Sequence, residues 1–245
     1  MSDYFTTKGL SINDTDDFGN TAFDYAAKTG NVSLLKTLAQ KGVKPTNQAL
    51  IFASQGTRWS AANLETFKYL VEEVKINVNA TGTKGENALF NLVRKKDQNE
   101  TITYFIDKGI NVNQADKEGN TVLMEAVRNP DVSVLKLVLD HTKDINQVNL
   151  KGTSALAQAV SYSSPEIVSF LLSNNANPNV VDKNGNNLAY YLVQNYQPLR
   201  DGQKNDFAEK LTIIKNAGVN FAASQQDGNS IYHIAVAKND VNLLK

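Results

Sequence analysis

The sequence predicts an all-α solenoid of about seven helix–turn–helix repeats joined by short hairpin or loop tips. Three observations carry that expectation. First, a turn glycine, a short apolar run and a second helix-like run recur with a period of about 33 residues. The glycines are Gly19, Gly85, Gly119, Gly152, Gly185 and Gly228, separated by 66 (two periods), 34, 33, 33 and 43 residues. Such a period marks stacked units that each bury an apolar face on the next. Second, the apolar residues inside each period fall at helical spacing, in two short runs. Third, 41% of the 245 residues are hydrophobic, enough for a large core. Length alone would allow one or two domains, but solenoids grow by adding units, so the whole chain is expected to be one repeat domain.

The elements follow in order. Residues 1–13 read as a partial unit, the second half of a repeat without its first helix. The best-formed unit spans about 16–45 and opens Asp16-Asp17-Phe18-Gly19-Asn20-Thr21. The Thr21 hydroxyl suits the start of a first helix, where it can accept from a free backbone N–H. Phe23, Ala26 and Ala27 are spaced for one buried face. Gly30 and Asn31 end that helix in a left-handed cap. Leu34, Leu35 and Leu38 are expected to form the buried stripe of a second helix, which Gly42 ends. Later units span about 46–79, 82–113, 116–146, 149–179, 182–220 and 225–245, the last incomplete. The unit at 46–79 is the weakest, since it lacks the turn glycine and opens at Thr46-Asn47-Gln48.

This pattern resembles the ankyrin repeat, D-x-x-G-x-T-P-L-H-x-A-A-x-x-G followed by V-x-x-L-L and G-A-x-x-N, and the resemblance covers nearly the whole chain. The fourth unit carries it in Asp116, Gly119, Thr121, Leu123 and Ala126, then Val132, Leu135, Val138 and Leu139. The departures are consistent. The motif's proline is replaced by Ala22, Ala88, Val122, Ala155, Leu188 and Ile231, and its histidine survives only as His233. The Thr–His bonding of the family is therefore expected to be mostly missing, with lower stability per repeat. Two units carry insertions, Gly56–Ala62 and Asn195–Asp206, both expected at the turn between the two helices. Stacked helices sit roughly 10 Å apart, so insertions four repeats apart are expected to form no common site.

Composition excludes several function classes. The 25 Lys+Arg balance 25 Asp+Glu, so no basic bias recommends nucleic acid or an acidic membrane surface. Without cysteine there is no disulfide, thiolate metal site or cysteine nucleophile. No apolar run is long enough to span a membrane. Met1 to Gly9 shows no signal-peptide core, so the cytoplasm is the default expectation. No metalloprotease helix motif, nucleophile elbow or phosphate-binding glycine loop occurs. His233 falls where the ankyrin motif places a structural histidine, and His141, just past a second helix, suits interaction with the helix dipole. Asx-rich stretches such as Asn111 to Asp116 lack the spacing and closing glutamate of a calcium loop and suit turns. Asn31-Val32-Ser33 and Asn99-Glu100-Thr101 match glycosylation acceptors, a pattern that arises often by chance. No catalytic residue, cofactor or metal is expected.

The resemblance implies a partner-binding concave face made of hairpin tips and the exposed ends of first helices. On this chain those positions include Phe18, Lys84, Arg94, Lys117, Arg128, Leu150, Lys151 and Tyr162. Phe18, Leu150 and Tyr162 are either anchors for a partner or packed on neighbouring tips. Lys84, Arg94, Lys95, Lys117, Arg128 and Lys151 either steer an acidic partner or form a solvated face balanced by Glu86, Glu118 and Glu125. Trp59, the sole tryptophan, is either a contact for a partner or folded back over the second and third repeats. The expected function is a non-catalytic protein–protein interaction scaffold, acting as a monomer on an unknown protein partner, with no nucleic acid or membrane. The alternative is a regulatory or targeting segment of a longer protein whose catalytic domain lies elsewhere.

Overall fold

The structure is a computed structural model, and it describes residues 11–57, 62–196 and 206–238. Met1 to Leu10 of the partial repeat, Trp59, the middle of the second insertion and Val241 to Lys245 lie outside the described residues. Thirteen α-helices are present among the described residues, and they fall in pairs along the period. The first repeat holds α1 (Ala22–Ala27) and α2 (Val32–Gln40). The second holds α3 (Gln48–Gln55) and α4 (Leu64–Lys68), which widens into a π turn over Tyr69–Glu73. The third holds α5 (Ala88–Leu92) and α6 (Asn99–Asp107). Then come α7 (Val122–Ala126) with α8 (Val132–Leu139), and α9 (Ala155–Tyr162) with α10 (Pro165–Ser173). The sixth pair is α11 (Leu188–Gln194) and α12 (Asp206–Asn216), and α13 (Ile231–Ala237) opens the seventh repeat. Both insertions fall between the two helices of their repeats, as expected.

The chain divides into two compact units, one through Lys117 and one from Glu118. In the first unit α1 packs on α3 and α3 on α5, while α2, α4 and α6 pack each on its own first helix. The buried residues Phe23, Leu50 and Leu89 line the inner row, and Phe67 meets Phe105 edge-on at 5.1 Å between the outer helices. The second unit repeats the plan, with α7, α9, α11 and α13 stacked in turn. In α2 only Leu35 is fully buried: Leu34 is 38% exposed and Leu38 partly so, not the three-leucine stripe expected. A helix on the outer layer meets its neighbours along a narrow edge, and residues one position apart point 100° away from each other.

Among the described residues, five of the seven first helices start from a capping side chain that accepts from the helix backbone. Thr21, Asn87, Thr121, Ser154 and Asn187 accept from backbone N–H groups of their helices. In the first, third and sixth repeats a side chain of the first helix or its cap bonds to the backbone beyond the second helix: Asp24, Asn87 and Asn187. In the first repeat Asp24 stands three residues after Thr21, fully buried. Its carboxylate accepts from the Thr21 N–H at 2.8 Å and hydroxyl at 3.2 Å, and from the Thr46 N–H at 2.8 Å and hydroxyl at 2.9 Å in the next repeat. Asn87 donates to the Asn111 carbonyl at 2.9 Å, and Asn187 to the Asn220 carbonyl at 2.7 Å. In the seventh repeat His233 accepts at Nδ1 from the Ser230 N–H at 3.0 Å, the structural role its position implies.

The Asx residues also serve the backbone. Asn77, Asn111, Asp144 and Asn177 each accept from the N–H two residues on, the Asx turn. Asn79 accepts from the Asn111 N–H and Asn146 from the Asn177 N–H, both at 2.7 Å, so each amide ties its loop to the next repeat. Among the described residues no group of His, Cys, Asp and Glu is placed to hold a metal ion.

Tips stack through backbone. Within the first unit Lys117 N–H donates to the Lys84 carbonyl at 2.8 Å. Within the second, Leu150 donates to Glu118 at 2.9 Å, Lys183 to Lys151 at 3.0 Å and Gln226 to Asn184 at 3.1 Å. The ends of the second helices share another device, a left-handed residue before an apolar one. Gly42, Gly109 and Gly218 fill it at φ of 81–82°, but Lys75 stands there at φ 65°. A side chain in that conformation costs about 1–2 kcal/mol, and glycine's extra chain entropy returns part of it. Lys75→Gly is therefore expected to raise stability by about 0.5–1 kcal/mol, read as a higher urea midpoint at unchanged slope.

Candidate protein-interaction face

The exposed ends of the first helices and the hairpin tips were the expected site, and each unit presents such a face. In the first unit Tyr25 and Phe52, from α1 and α3, meet edge-on at 5.1 Å. Tyr25 is half exposed and its hydroxyl donates to Asp16 at 2.8 Å. The Asn20 side chain, together with the Asn20 and Phe18 N–H groups and Tyr25, outweighs desolvation and holds Asp16 down at about 2. The Lys28 ammonium lies 5.7 Å from the Phe52 ring centroid. Lys95 donates to the carbonyl of Gln55, the last residue of α3, where cations meet the negative end of the helix dipole. Burial, then the nearby Lys28 charge, lowers the Lys95 pKa. Phe18 is 78% exposed on its tip, so it is not packed on a neighbouring tip. Lys84, Arg94 and Lys117 are exposed. Glu86 accepts from the Lys84 backbone N–H at 2.9 Å on the same tip.

In the second unit the same positions enclose a polar hollow of about 320 Å³. The Arg128 guanidinium lies 5.1 Å from the centroid of Tyr162, reaches Gln158 Oε1 at 3.5 Å and faces Glu125 at 3.9 Å. A guanidinium stacked on an aromatic ring gains cation–π energy and loses freedom before any partner arrives. Lys151 and Glu118 line the rim. Tyr191 lines the same hollow, donating to Asp182 at 2.7 Å with Thr153 at 3.0 Å. Burial, followed by the Asp182 hydrogen bond and charge, raises its pKa.

The structure thus brings Arg128, Lys151 and Tyr162 together and leaves Leu150 out. Lys151 lines the hollow with Asn149 and Thr153, whereas Leu150, 62% exposed, does not. Residues 149–152 form a tight turn, closed by the Gly152 N–H on the Asn149 carbonyl at 2.8 Å, so neighbours along it project in different directions. Sequence reasoning missed Tyr25, Gln158 and Tyr191. A signal was present: Tyr25, Asn91, Glu125, Gln158 and Tyr191 each stand four residues after a capping residue. Trp59 lies outside the described residues. His141 is an exposed residue just beyond α8. No described helix is long and apolar enough to cross a membrane.

Paired helices, a buried row of first helices and stacked tips define a helical repeat protein of the ankyrin class. The comparisons place the chain further: the family model for ankyrin repeats (3 copies) matches residues 50–149 and 89–182, and that for ankyrin repeats (many copies) matches 3–39. The chain belongs to the ankyrin repeat family. It is 29% identical over 112 residues, 43% of its length, to alpha-latroinsectotoxin-Lt1a of Latrodectus tredecimguttatus, of which this covers 8%. It is 28% identical over 136 residues, 55% of its length, to the ankyrin repeat protein FPV244 of Fowlpox virus (strain NVSL), covering 20% of it. It is 38% identical over 58 residues, 24% of its length, to FPV222 of the same virus, covering 8%. The matched stretch thus spans from 8 to 20% of these relatives' lengths. Ankyrin repeats generally mediate protein–protein interaction, and proteins of the family are typically non-catalytic scaffolds.

Proposed function

We propose that this chain is a non-catalytic scaffold that binds a protein partner on the inner face of its repeats. The observation that carries the reading is the Arg128–Tyr162 stack over the polar hollow, with Lys151 on the rim. A preformed surface of that kind reduces the ordering cost of binding, and Arg and Tyr are the side chains that most often dominate interface energy. Phe18, Lys84, Arg94 and Lys117 are the corresponding contacts of the first unit, and Leu150 contributes as an exposed apolar tip. The unbroken spacing from Gly85 through Gly119 to Gly152 supports treating the chain as one continuous repeat domain, which we propose acts as a monomer. The test is a pull-down with wild-type bait beside Arg128→Glu/Tyr162→Ala, read by mass spectrometry. The expected result is a protein retained by the wild type and lost by the folded variant. Equal retention would move the site off this face. A second reading, a regulatory or targeting segment of a longer protein, is favoured by the length of the relatives, of which the match spans a small part.

A further inference from the structure

We propose that the inner edge of the first unit, around the end of α3, docks an acidic peptide segment of the protein partner. This rests on the inner-face reading above and adds to it the chemistry of what is bound. Three repeats contribute to the site. Lys28 comes from the end of α1, Phe52 and Gln55 from α3, and Lys95 from the chain just after α5, next in sequence to the exposed Arg94. The two lysines are close enough that the Lys28 charge acts on Lys95. Like charges brought together from repeats 66 residues apart oppose folding, and a carboxylate placed among them reverses the sign of that term.

The cations are also held before a ligand arrives. Lys95 is anchored by the Gln55 carbonyl, and Lys28 rests against the Phe52 ring, which packs on Tyr25. Held cations lose little rotamer freedom on binding. Tyr25 and Phe52 form an aromatic ledge beside them, with Tyr25 52% exposed. A ledge next to convergent cations fits a segment with carboxylates and an apolar side chain. Nucleic acid is the poorer fit, because the chain as a whole has a formal charge of zero, and binding to a phosphate backbone draws on many cations at once.

The test is fluorescence anisotropy with a fluorescein-labelled Glu-rich peptide carrying a central leucine, titrated with the full chain at low and high salt. Wild type is expected to bind, more weakly as salt rises. Lys28→Glu/Arg94→Glu is expected to bind about tenfold more weakly or worse, while the outer-face control Lys136→Glu/Lys143→Glu binds like wild type. Circular dichroism melts check that all variants fold. Equal affinity for the inner-face variant overturns the proposal. So does a labelled single-stranded oligonucleotide of equal charge that binds as tightly with the same loss, since the surface would then read polyanion charge. Absence of peptide binding, alongside a partner lost from Arg128→Glu/Tyr162→Ala, defeats the acidic-segment proposal and leaves the inner-face reading standing. Equal retention on both baits defeats that reading independently.

Discussion

Gly152→Ala is expected to destabilise the second unit by about 3 kcal/mol or more. Gly152 sits at φ 82°, where any side chain meets its own backbone. A Cβ there would also lie 2.9 Å from Lys183 N and 3.0 Å from Asp182 Cα in the next tip. Both are backbone atoms, so the clash cannot be relieved by turning a side chain. The tips would have to separate, losing the 3.0 Å bond from Lys183 N–H to the Lys151 carbonyl. Gly218→Ala supplies the control in the same unit. It has the same φ of 82° with nothing within 4 Å of the added Cβ, so only the conformational cost of about 1 kcal/mol remains. Urea denaturation of the two variants measures the difference. Equal midpoints would mean that the tips do not stack closely.

The second large effect is expected from Asp24→Ala. The carboxylate is fully buried and accepts four hydrogen bonds from Thr21 and Thr46. Removing it strands two backbone N–H donors, each costing about 1–3 kcal/mol, so the loss is expected to reach about 4 kcal/mol. Asp24→Asn keeps one oxygen and is expected to lose about half of that. A repeat contacts only its neighbours, so the loss should appear locally. Hydrogen exchange of the Thr46 amide should accelerate strongly, while amides in α9 stay protected. An unchanged Thr46 rate would exclude Asp24 as the link between these repeats.

Much of this architecture was legible. Gly85, Gly119, Gly152 and Gly185 announce themselves because a left-handed turn tolerates little else. The capping residues Thr21, Thr121 and Ser154 are equally local, since each acts on N–H groups three residues away. Leu34 misled because periodicity reports that a helix is amphipathic, and the width of the face that is covered depends on neighbours. The links made in place of the motif's histidine were not legible for a related reason. The motif names one bonding partner, whereas here Asp24 accepts from the Thr46 N–H and Asn87 and Asn187 donate to the Asn111 and Asn220 carbonyls.

The sequence by itself determined the class of fold, the order of its helix pairs and the glycines on which the tips turn. Those properties come from interactions within a few residues, repeated until they are unmistakable. Only the tertiary structure decided that Lys151 lines the hollow with Arg128 and Tyr162 while Leu150 does not. It alone set Lys28 against the Phe52 ring and Lys95 on the Gln55 carbonyl of the same helix, and tied Asp24 to Thr46. Each of those contacts joins separate repeats, and which side chains meet there depends on how one repeat lies on the next.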